Sequence, residues 1–98
     1  MAKLYFAVWR DAGAVALGDP LQEDMVSFAG TSVQTVALVG TNRQRNRVRV
    51  FSDGDCFVTW GLAPIALNDG TDGRPLGASN PEYFDIEAGY KLAVIERI

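Results

Sequence analysis

Arg47-Val48-Arg49-Val50-Phe51-Ser52-Asp53-Gly54-Asp55-Cys56-Phe57-Val58-Thr59-Trp60 is the stretch on which the fold turns. Arg47 to Phe51 alternates charged and apolar residues, the period-2 signature of a half-buried strand. Cys56 to Trp60 is a second β-rich run, with Cys56, Val58 and Trp60 on one parity. That parity is the better candidate for the core. Between the runs stands Asp53-Gly54. An Asp-Gly pair flanked by strands is the strongest short-range hairpin signal, because a type I′ turn needs positive φ at both central positions. The stretch therefore predicts two strands joined as a hairpin.

Working outward, the same kind of segment recurs. Glu82-Tyr83-Phe84-Asp85-Ile86 and Tyr90-Lys91-Leu92-Ala93-Val94-Ile95 are β-rich runs separated by Glu87-Ala88-Gly89. Toward the N-terminus, Leu4 to Trp9 is apolar on both strand parities, which predicts burial on two faces or contact with a partner. Short runs at 14–17, 25–28 and 33–39 are punctuated by Gly18-Asp19-Pro20 and Gly30-Thr31-Ser32. Pro20 to Met25 allows one helical turn, with Pro20 in the first turn. Residues 61–80 are rich in glycine, proline and asparagine and read as loop. Regularly spaced short strands predict an all-β fold, a small β-sandwich or jelly-roll-like barrel of short antiparallel strands. With 98 residues, the chain reads as a single β domain over 1–98. Residues 1–10 are expected as an N-terminal strand or an arm engaging a neighbour.

Composition narrows the function. Hydrophobic residues are 48% and charged residues 21%, a globular balance. The net charge of −3 gives no whole-chain basic footprint for nucleic acid. Charge is nevertheless uneven: residues 1–49 sum to +2 and residues 50–98 to −5. Such polarity favours head-to-tail packing of copies. The single cysteine forms no internal disulfide. The apolar run before Arg10 is too short for a signal-peptide core, and no run reaches the roughly 18 residues of a membrane helix. A soluble protein made in a cytoplasm is expected.

No catalytic constellation emerges. Histidine, the commonest general base, is absent. Cys56 has no histidine to activate it, and its strand position suits a small core residue. The serines follow no nucleophile-elbow pattern. Asp53 and Asp55 flank a turn, where aspartate is favoured for backbone reasons. Asn68-Asp69-Gly70-Thr71-Asp72-Gly73 resembles part of a calcium loop, but Gly70 supplies no side-chain oxygen and Ser79 stands where a bidentate glutamate belongs. No metal or cofactor is expected, and no enzyme activity.

Binding is the better expectation. Arg43, Arg45, Arg47 and Arg49 line one face over about 20 Å if the segment is extended, which suits phosphates or an acidic protein surface. If 40–46 is a loop, only Arg47 and Arg49 share a solvated face. Without interleaved aromatics, nucleic acid is the weaker partner for this stripe. Trp9, Trp60, Tyr83, Phe84 and Tyr90 are expected mainly in a thin core. Tyr5, Phe6 and Trp9, with the four arginines, are the candidate partner-binding residues.

The segment from Arg47 to Ile98 resembles a family of small tailed-bacteriophage virion proteins. The likeness lies in the order of elements. A strand ends at an acidic turn, and the next carries a small residue or cysteine and an aromatic before glycine. An alanine- and proline-containing segment follows, and the chain closes on two strands. Leu76, Glu82, Tyr83, Phe84, Gly89, Lys91, Ala93, Val94 and Ile95 fall on that pattern. Ala88 and Tyr90 replace the usual proline and aspartate, and the first half carries no matching motif. The resemblance implies a capsid-associated β-sandwich in the phage head: cement or decoration, the base of a head fibre or spike, or a protein near the portal. Its implied partners are the major capsid protein and its own copies, in symmetric oligomers and especially trimers. Two other functions compete. One is a β module binding carbohydrate or an anion, favoured by aromatics clustered on a concave outer face. The other is a small regulator that binds nucleic acid through the arginines.

Overall fold

The structure, a computed structural model, describes residues 2–10, 21–38, 45–67 and 73–97. Among these residues eight strands form: β1 (Ala2–Arg10), β2 (Gln22–Phe28), β3 (Val33–Gln34), β4 (Arg45–Ser52), β5 (Cys56–Gly61), β6 (Arg74–Leu76), β7 (Glu82–Glu87) and β8 (Lys91–Glu96). They make two four-stranded antiparallel sheets, ordered β2-β1-β4-β7 (sheet A) and β3-β8-β5-β6 (sheet B). The protein is an all-β sandwich.

The order is a nest. β5 pairs with β6, β4 with β7 and β3 with β8, and successive pairs alternate between the two sheets. This is a long hairpin rolled up on itself, the jelly-roll-like arrangement. Continuing the nest would place a ninth strand beside β2, and β1 holds that position.

Side-chain parity builds the core. Leu4, Phe6 and Val8 of β1, Val48 and Val50 of β4 and Ile86 of β7 point inward from sheet A. Cys56, Val58, Leu76, Leu92 and Val94 meet them from sheet B, with Phe28 and Leu38 completing the cluster. Each such burial contributes about 1.5–3 kcal/mol against the chain entropy lost on folding. The expected core parity of β5 is therefore the one observed, and Trp60 packs against the same cluster.

Three expectations are corrected and one is narrowed. First, β4 and β5 lie in different sheets, so Ser52 to Asp55 is a corner between sheets and not a hairpin. Gly54 lacks positive φ. It is needed for space: a Cβ there would lie 2.9 Å from the Ala2 Cβ. Second, the helical turn is replaced by strand β2 from Gln22 onward, drawn into the ladder with β1. Third, of the strand or arm expected over residues 1–10, a strand is what forms. β2 covers one edge and β4 the other, from Leu4 to Val8. Fourth, Tyr83 is 55% exposed on the outer face of sheet A, not in the core. The calcium-like stretch lies outside the described residues except for Gly73.

The Ser52–Asp55 corner gathers distant chain. Ser52 Oγ accepts the Gly54 N–H (3.1 Å) and donates to the Gly54 carbonyl (2.6 Å). Asp53 accepts the Lys3 N–H at 2.7 Å, while the Asp53 N–H donates to the Lys3 carbonyl at 3.2 Å. Asp55 accepts the Ala78 N–H at 2.8 Å and pairs with Arg97 at 3.5 Å. The start of β1 and the end of β8 thus meet one turn. Both aspartates accept backbone N–H groups, as their turn positions suggest, and Asp55 carries a salt bridge as well.

Candidate functional site

The two outer faces differ. On sheet B, Phe57, Ala93 and Ile95 point outward, and the chain covers them itself: Ala66 buries against Ala93 and Ile95. The cover is tied down by the Ala66 N–H donating to Ser32 Oγ (2.9 Å) and by Gln34 Nε2 donating to the Pro64 carbonyl (2.8 Å).

The outer face of sheet A has no such cover among the described residues. Register places Glu23, Met25 and Ser27 of β2 beside Ala7, Tyr5 and Lys3 of β1. Those in turn lie beside Arg49 and Phe51 of β4, with Trp9 opposite Arg47. Tyr83, Asp85 and Glu87 of β7 flank Arg49, Arg47 and Arg45. Tyr5 is 40% exposed and Met25 48% exposed. Tyr5 and Phe51 meet across strands with ring centroids 6.2 Å apart. A groove of about 850 Å³ opens here, lined by Tyr5, Ala7, Met25, Phe51 and Pro81, by Glu23, Asp24 and Asp53, and by Arg49. Ala7 is small enough to leave the depression, and its neighbours bury it to 2% exposure.

The arginine stripe is partly realised. β4 begins at Arg45, so Arg45, Arg47 and Arg49 share the outer face; Arg43 lies outside the described residues. Its cations do not stand unopposed. Arg47 pairs with Asp85 at 3.7 Å, and Arg45 stands opposite Glu87 in the register. The Arg49 guanidinium sits 5.9 Å from the centre of the Trp9 ring. Acidic residues of β7 oppose Arg47 and Arg45, while Arg49 stands opposite Tyr83, so the stripe's pull on a phosphate backbone is reduced over two of its three described arginines. Of the candidate aromatics, Tyr5 and Trp9 belong to this face, but Phe6 is a core residue at 3% exposure.

Met25, Phe51 and Tyr83 complete the face and were not singled out as binding residues by the sequence. The usable signal was parity: each is out of phase with the buried members of its strand.

The one cysteine is poorly placed for chemistry. Cys56 is fully buried, and burial pushes its thiol up to about 11, outweighing the Ser52 hydrogen bond and the Arg97 charge that act the other way. A neutral buried thiol is a poor nucleophile. Among the described residues, no three acidic or cysteine side chains come together to hold a metal ion.

No family model, no curated protein and no solved structure matches the chain.

Proposed function

We propose that this domain is a structural protein of the tailed-phage virion that works by association, binding the capsid shell and its own copies through the outer face of sheet A. One observation carries the reading: among the described residues, one face of the sandwich is covered by the chain itself and the other is not, with Tyr5, Met25, Phe51 and Tyr83 set among charges. Exposed aromatics and methionine within a polar rim are the composition of protein interfaces. The resemblance of Arg47 to Ile98 to small phage virion proteins supplies the biological setting. The buried, neutral Cys56 and the absence of histidine agree with a role that needs no reactive group.

Co-sedimentation with capsid shells of the phage that encodes the chain tests this. Wild-type protein should pellet with the shells. Tyr5→Ser with Tyr83→Ser, on a folded background, should release it. Undiminished binding by that variant would refute the proposed face.

A second reading has its own support. Tyr5 and Phe51 in a groove are what a carbohydrate-binding module uses to stack a sugar. Saturable shifts of the groove amides on titration with neutral oligosaccharides would favour it.

A further inference from the structure

We propose that the groove over Ala7 takes a lysine or arginine side chain from an extended segment of a protein partner. Its aliphatic stem lies on Tyr5, Met25 and Phe51, and its cation is met by the carboxylates of Glu23, Asp24 and Asp53. This inference rests on the reading of sheet A as a protein interface and names the chemistry that fits it.

Charge is the first argument. Three acidic residues line the groove against one arginine, with Asp24 Oδ1 also accepting the Met25 N–H and Asp53 Oδ1 the Lys3 N–H. The guanidinium of that arginine, Arg49, lies over Trp9. Lys3 is on the same face but does not line the groove, and Arg47 is engaged by Asp85. Among the described residues, neither Glu23 nor Asp24 enters an ion pair. Among the described residues, the groove thus has more acidic than basic side chains in its lining. An anionic occupant would add to that excess, and a purely aliphatic one would desolvate carboxylates without return.

The apolar lining is the second argument. Lysine and arginine lay an aliphatic stem on apolar surface while the head stays among polar groups. Aromatic ring faces attract the cation, and methionine adapts its shape to the stem. Tyr5, Phe51 and Met25 supply all three contacts within one depression. Charge-assisted hydrogen bonds from the head to the carboxylates then fix its position.

The probes are two blocked tripeptides, acetyl-Gly-Arg-Gly-amide and acetyl-Gly-Glu-Gly-amide, titrated into the full chain and followed by amide NMR shifts. The arginine peptide should give saturable shifts at Tyr5, Ala7, Glu23 and Phe51, and the glutamate peptide none. Glu23→Gln combined with Asp24→Asn should weaken binding about tenfold or more. Both positions are exposed on an edge strand, and asparagine keeps an acceptor for the Met25 N–H that Asp24 now caps at 2.8 Å. Equal shifts from both peptides, no saturation by the arginine peptide, or shifts from neutral oligosaccharide alone would overturn the inference. If capsid binding needs Tyr5 and Tyr83 while the arginine peptide leaves the groove unmoved, this inference fails and the interface stands. If the peptide binds while capsid binding ignores the face, the converse holds.

Discussion

Gly54 and Cys56 show how much single positions carry here. The Cβ of an alanine at 54 would meet Ala2 at 2.9 Å, so the corner and the start of β1 must separate to admit it. Gly54→Ala should cost about 1–3 kcal/mol in urea unfolding, the range for overpacking, although no unusual φ is involved. The Cys56 thiol, raised from 9.0 to about 11, links stability to alkaline pH. Between those values the unfolded chain releases the proton and the folded chain keeps it. Stability contributed by this group is therefore complete below pH 9.0 and is lost as pH rises toward about 11. The slope is at most about 1.4 kcal/mol per pH unit. Cys56→Ala should remove that slope, which paired urea titrations at pH 8 and 10 will read. Asp55 works in the opposite sense. The Ala78 N–H chiefly holds its carboxyl below the usual value; burial comes next and opposes it, and the Arg97 charge and hydrogen bond add smaller lowering effects. Its contribution is present above the ordinary carboxylate pKa and fades as pH falls through the depressed one.

At the scale of elements, β1 and the flank between β6 and β7 are the two places where one loss spreads. β1 supplies Leu4, Phe6 and Val8 to the core and two ladders to sheet A. Removing residues 2–10 should abolish the fold, leaving collapsed amide dispersion in NMR spectra and not a stable core lacking an arm. At the open flank, Trp60 of β5 stacks on Phe84 of β7 at 4.8 Å. The Arg74 guanidinium covers both rings, at 5.6 and 5.4 Å. Arg74→Ala should cost about 1 kcal/mol by denaturant unfolding.

What the chain discloses locally and what it withholds divide along the same line. Arg47 to Phe51 and Cys56 to Trp60 alternate clearly, because half-burial stamps a period of two on any strand. The Asp53-Gly54 turn reads alike for a hairpin and for a corner between sheets. Its meaning depends on Ala2 and Phe28 lying near Gly54, contacts remote in sequence. β1, apolar on both parities, looked equally like a buried strand and a docking arm; only its pairing with β2 and β4 decides. The candidate face was half legible. Tyr5, Trp9 and the arginines stood out by type. The neutralising role of Asp85 and Glu87 follows from a register that joins residues some 40 positions apart. Tyr83 was hidden because an aromatic in a small domain is usually core.

For the molecule as a whole, the nest of strands is closed by β1 in the place a ninth strand would hold. The ends of β1 and β8 sit on the same corner, through Lys3 with Asp53 and Arg97 with Asp55. A circular permutant joining Arg97 to Ala2 through a short glycine-serine linker, opened between β1 and β2, should keep the fold. Near-identical amide spectra would confirm it, and a molten spectrum would contradict the assigned nesting. The shared corner also fixes a direction of attachment. Whatever polypeptide is spliced to either end departs from one pole of the sandwich, beside the turn, and neither tether is threaded across the aromatic floor. A cargo fused at the front or the back should therefore ride on the same side of the sandwich.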